Sequence, residues 1–83
     1  MTYVYFKDKE QQLGGFEMPA VPRVGEKLSL WFSPAVAHRR EEYTEEALEK
    51  FDRLEGTRWV VKEVFYEAVY NKEGRVTCRV TRV

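Results

Sequence analysis

The sequence predicts a single α+β domain over residues 1–83, built on a small bent antiparallel sheet or β-barrel of about five strands. Three observations carry this expectation. The last 27 residues, Thr57 to Val83, split into two β-rich runs around Asn71-Lys72-Glu73-Gly74, which predicts a C-terminal β-hairpin. Three shorter runs upstream alternate aromatic or branched residues with others, as half-buried strands do. Between them, Ala47, Leu48, Phe51 and Leu54 recur at helical spacing, which predicts one helical insertion near residues 34–54.

Thr2–Lys7 reads as the first strand, with Val4 and Phe6 on one face and Tyr3 and Tyr5 on the other. Leu13–Met18 returns as a second strand, loosened at Gly14-Gly15, where paired glycines mark a bend or a close backbone approach. A phosphate-cradling loop is excluded there, because no helix start, Lys or Ser/Thr follows at the needed spacing. Pro19-Ala20-Val21-Pro22 stiffens the next loop, and Gly25 supplies a turn into the third strand, Lys27–Phe32. There Leu28, Leu30 and Phe32 point one way and Trp31 the other. Ser33-Pro34 offers a helix start, with Ser33 as cap. A firmer helix runs Thr44–Leu54, capped by Thr44 and closed by Gly56. Pro34–Glu42 is either part of one long helix or an arm preceding it.

In the hairpin, a turn at Asn71–Gly74 pairs Tyr70 with Val76, Ala68 with Cys78, Tyr66 with Val80 and Val64 with Arg82 on the inner face. The outer face then pairs Val69 with Thr77, Glu67 with Arg79 and Phe65 with Thr81. Trp59 and Val61 alternate in the opposite phase to Val64 and Tyr66. A bulge near Lys62-Glu63 brings both sets onto one face, since one extra residue flips the alternation.

The order of signals includes Pro22-x-x-Gly25-Glu26 leading into a strand and Gly56-x-x-Trp59-x-Val61-x-x-Val64 opening the next. In this it resembles the small, uncharacterised SH3-like barrel proteins of bacteria and their phages. The likeness spans about two-thirds of the chain, and the helical insertion departs from the minimal barrel. It implies an SH3-like barrel and a phage or mobile-element origin. An OB-like or β-grasp arrangement of the same strands is the alternative.

Composition narrows the function classes. Fourteen basic and fourteen acidic residues give zero formal charge, which argues against strong general affinity for nucleic acid or acidic membranes. One cysteine, Cys78, permits no internal disulfide and falls on the predicted inner face as a small buried hydrophobe. No apolar run approaches 18 residues and the start lacks a signal peptide, so a cytoplasmic protein is expected. Nothing reads as catalytic. His38 is the only histidine and lies among charges, and Glu41, Glu42, Glu45, Glu46 and Glu49 have the spacing of a solvated helix face. The reading is therefore non-enzymatic, with no cofactor-binding or metal-binding residues.

What remains is spare aromatic surface. Trp31, Phe65, Val69 and Arg79, with Tyr3 and Tyr5 behind them, are the candidate partner-binding residues. The expected function is a small protein-binding module, an adaptor, regulator or inhibitor. A homodimer through an open edge near Val83 is the second form of protein partner. The alternative is nucleic-acid binding on the outer hairpin face, where aromatics lie among Arg75 and Arg79.

Overall fold

The computed structural model describes every residue from Met1 to Val83. It contains strands β1 (Thr2–Asp8), β2 (Gln11–Met18), β3 (Lys27–Ser29), β4 (Arg58–Val69) and β5 (Lys72–Arg82). Helices α1 (Ser33–Val36) and α2 (Glu45–Leu54) lie between β3 and β4, with a 3-10 turn at Arg40–Glu42. The five strands form one sheet in the order β2-β1-β5-β4-β3, bent as a half-barrel with β2 and β3 at its edges. The chain divides into two compact units, Met1–Leu28 with Trp59–Val83, and Ser29–Arg58.

The sheet is mixed, which corrects the antiparallel expectation. β1 and β2 are antiparallel, as are β4 and β5, but β1 and β5 run parallel. Alternation along one strand reports which face is buried and carries no information on the direction of a neighbour. β5 is the central strand, flanked by β4 on one side and, over Val76–Arg79, by β1 on the other.

In the first unit the alternation expected for β1 holds: Val4 and Phe6 are buried and Tyr3 is exposed. Trp59, Val61, Cys78 and Val80 are buried too. The pairings Val4–Val76, Phe6–Cys78, Val64–Cys78, Val61–Val80 and Trp59–Arg82 put these side chains on one inner face. Each large apolar side chain so buried contributes ~1.5–3 kcal/mol. The β4 register shifts between Val61 and Glu63, so the bulge lies where the phase of Trp59 and Val61 required it.

The hairpin turn is at Tyr70-Asn71, not at Asn71–Gly74. Asn71 itself takes the left-handed conformation, φ +56°, which Asn tolerates better than most residues. Between Glu63 and Glu67 the slip from the expected register is even, so each side chain there keeps its face and changes its partner; a second register shift between Glu67 and Val69 breaks the phase at the tip, where Val69 stands opposite Lys72. Glu67 thus stands opposite Arg75, not Arg79, and Phe65 opposite Thr77. Tyr66 and Tyr70, expected inside, are exposed, because the hairpin runs past the strand positions whose side chains are buried.

Both glycines of Gly14-Gly15 have a role. Gly14 has φ +131°, beside a register shift in β1–β2 between Phe6 and Lys7. Gly15 lies under two tyrosine rings, described below. Gly25, φ +93°, donates its N–H to the Val61 carbonyl at 2.8 Å, and the Val61 N–H donates to the Glu26 carbonyl at 2.9 Å. The loop is thereby stitched to β4.

In the second unit, Thr44 caps α2 by accepting the Ala47 N–H at 3.1 Å, and Gly56 follows the helix with φ +70°. Phe51 stacks on Phe32 at 4.8 Å between ring centroids and meets Tyr43 edge-on at 5.3 Å. Leu30, Phe32, Val36 and Leu54 are buried. The segment 33–42 is neither one long helix nor an unstructured arm, but two short turns. Ser33 does not cap α1: the Glu55 carboxylate accepts the Phe32 N–H at 2.8 Å and the Ser33 N–H at 3.0 Å. A carboxylate from beyond the next helix does the capping, a relationship with no local sequence signature. No helix is long and apolar enough to cross a membrane.

Candidate functional site

The outer face of the first unit's sheet brings together Tyr3, Tyr5, Lys7, Phe65, Glu67, Arg75, Thr77 and Arg79. Their grouping follows from two registers. Parallel pairing sets Tyr5 beside Thr77 and Lys7 beside Arg79, while antiparallel pairing sets Phe65 beside Thr77 and Glu67 beside Arg75. Four of the six residues singled out from sequence, Tyr3, Tyr5, Phe65 and Arg79, therefore share one face. Val69 lies opposite Lys72 at the hairpin end and is exposed. Trp31 belongs to the second unit; it is 58% exposed, and its ring lies against Gly56.

Cations cover the half-buried rings of this face. The Arg75 guanidinium lies 5.0 Å from the Tyr5 ring centroid, and the Lys7 ammonium lies 5.1 Å from that of Phe65. Such contacts contribute ~0.5–1 kcal/mol at exposed sites. The Glu67 carboxylate orients Arg75, accepting its Nε–H at 3.2 Å, and accepts the Thr77 hydroxyl at 3.2 Å through its other oxygen. Thr77 is buried beneath this layer. Tyr3 meets Tyr5 edge-on at 5.3 Å.

Toward the hairpin tip the rings are bare. An open groove of about 720 Å³ is lined by Met1, Tyr3, Tyr5, Tyr66, Glu73 and Arg75, among others. Tyr3 is 51% exposed, Tyr66 71% and Tyr70 91%. Sequence reasoning missed Tyr66 and Tyr70 because it put them on the buried face, whereas they lie toward the hairpin tip, past the buried positions. The signal that locates the turn is Asn71 itself, suited to the left-handed position at which it is found.

Cys78 is buried, and that burial pushes its thiol above the ordinary value, away from reactivity. No three His, Cys, Asp or Glu side chains converge as metal ligands. What the face can do chemically is stack, bury apolar area and pair charges. No protein-family model, curated protein or solved structure matches the chain.

Proposed function

We propose that the protein is a small binding module, an adaptor, regulator or inhibitor, whose partner is another protein docked on the groove around Tyr3, Tyr5 and Tyr66. One observation carries this reading: exposed Tyr3 and Tyr66 line one groove, and exposed Val69 and Tyr70 follow at the adjoining hairpin tip. Tyrosine presents a large, stiff, amphipathic surface at low entropic cost, which is why it is enriched at binding hot spots. Phe65 and Arg79 extend the surface along the same face. Trp31 is a further, separate exposed aromatic.

A parallel central pair with β2 and β3 at opposite edges favours the β-grasp alternative over SH3-like closure. A phage origin rests on size and on the resemblance of the loop and strand motifs.

The second reading is nucleic-acid binding. Lys7 beside Arg79, next to Tyr5 and Phe65, favours it. The cations Arg75 and Lys7 already lie on those rings, which leaves fewer open stacking faces for bases.

The test is capture from host lysate with the wild type and with Tyr3→Ser/Tyr66→Ser, each with and without nuclease. The proposal expects discrete proteins that survive nuclease and are lost with the variant, whose fold is checked by circular dichroism. Capture that vanishes with nuclease supports the second reading. Proteins retained equally by wild type and a folded variant exclude the tyrosine groove.

A further inference from the structure

We propose that Lys7 and Arg79 form an anion-binding site that receives a carboxylate-bearing segment of the protein partner; this rests on the protein-binding reading above. The observation is an uncompensated pair of like charges. The β1–β5 register puts Lys7 directly beside Arg79, and both are half-buried on the outer face. Like charges at facing sheet positions repel and destabilise the strand pair. A sheet ordinarily answers such a pair with a carboxylate in contact. Glu63 stands opposite Arg79 on β4 without forming an ion pair with it, and Glu67, the next carboxylate of β4 on this face, is paired with Arg75. No carboxylate oxygen lies within 4.0 Å of Lys7 or Arg79.

The surroundings suit an incoming carboxylate. Lys7 rests on the Phe65 ring, a contact that holds the ammonium without using its N–H donors. Arg79 contributes a planar fork that matches a carboxylate's two oxygens. The Phe65 ring beside them offers apolar contact to the stem of an acidic side chain.

The wider face discriminates between anions. Along β4, Glu63 and Glu67 stand opposite Arg79 and Arg75, so carboxylates border the pair on that side. Arg75 is already bound by Glu67. A nucleic-acid backbone tracking across the face meets these carboxylates and gains little from the summed field. A short acidic segment needs only the local pair.

The test is a two-dimensional NMR titration of the full chain with blocked hexaglutamate, and in parallel with hexathymidylate. The proposal expects hexaglutamate to shift Lys7, Arg79 and Phe65 resonances saturably, more weakly as salt rises. Lys7→Gln or Arg79→Gln should raise its Kd by about tenfold, the loss of one charge-assisted contact. Glu63→Gln should tighten binding, because a competing carboxylate is gone. Arg79→Gln should keep or raise the thermal midpoint, since it removes the repulsion. Unmoved resonances, equal affinity for Arg79→Gln, or a falling midpoint in that variant each overturn the proposal. Tighter binding of hexathymidylate than of hexaglutamate overturns it in favour of nucleic acid. If a protein captured from lysate is retained by the Lys7→Gln/Arg79→Gln double variant, the carboxylate site fails while the protein-binding reading stands. If no protein is captured by the wild type, the reading beneath it fails.

Discussion

Gly15 lies opposite Tyr5 across the β1–β2 pair, and a methyl group on it would stand 2.9 Å from the Tyr5 ring. The same methyl would stand 2.5 Å from Cε1 of Tyr3. The missing side chain is thus the floor on which the tyrosine pair rests. Covering an edge glycine with a cross-strand aromatic restores some of the packing that glycine forfeits.

Gly15→Val should evict the tyrosine rings and leave the strand in place. Tyr3 is half-exposed and can swing outward, and valine suits a strand better than glycine. The edge-to-face pair is lost at ~0.5–1.5 kcal/mol, offset in part by the strand preference. Urea denaturation should therefore move by less than ~1 kcal/mol, while near-ultraviolet circular dichroism from the tyrosines changes and partner capture falls. A large loss of stability would show that the rings belong to the core.

Gly74→Ala should be costly. A Cβ there drives into the backbone carbonyl oxygen of Glu67, and backbone cannot rotate away as a ring can. A loss of ~1–3 kcal/mol is expected from this overpacking. Denaturant midpoints of Gly74→Ala and Gly15→Ala, measured side by side, check the contrast.

Glu55→Gln and Ser33→Ala should rank opposite to the sequence pattern. Glu55 accepts two N–H groups at the start of α1, whereas Ser33 makes no capping bond with its side chain. Losing a cap costs ~0.5–2 kcal/mol. Glu55→Ala should show that loss, Glu55→Gln a smaller one, and Ser33→Ala almost none, all by thermal or urea unfolding.

Cys78 should be silent toward thiol reagents until the protein unfolds. It is fully buried in the central strand, and burial raises its pKa from 9.0. The unfolded chain therefore releases this proton at lower pH than the folded one. The contribution to stability is complete below pH 9.0 and is lost as pH rises through the folded value. Alkylation by iodoacetamide with and without urea, and unfolding midpoints from pH 8 upward against Cys78→Ala, read both effects.

Much of the fold was legible because period-two alternation reports burial directly. Val4 and Phe6 against Tyr3 fall as the pattern requires; Leu30 and Phe32 are buried and Trp31 exposed as expected, although the third strand, expected over Lys27–Phe32, ends at Ser29. The bulge after Val61 was legible for the same reason, as a break in phase. The hairpin partners were not. Between Glu63 and Glu67 an even slip leaves each residue on its face, so no burial pattern can detect it, and Arg75 took the place beside Glu67 that Arg79 was expected to hold. The parallel β1–β5 contact was hidden because the two strands are separated by most of the chain and share no turn. At the site, the grouping of Tyr3 and Tyr5 with Phe65 depends on that contact. The residue types were visible in the sequence, but their meeting was not.

The parallel contact also sets a timetable. During synthesis β1 and β2 precede the rest of the sheet and can close as a local hairpin, yet the strand that seals β1's other side is β5, made only after β3 and β4. Until then β1 presents an unpaired edge with Val4 and Phe6 uncovered on one face. The nascent chain must carry that sticky intermediate until β5 has been made, and long-range closure of this kind is slow. Variants that leave the finished protein as stable as before, but delay β4–β5 hairpin formation, should lower the yield of folded protein in the cell.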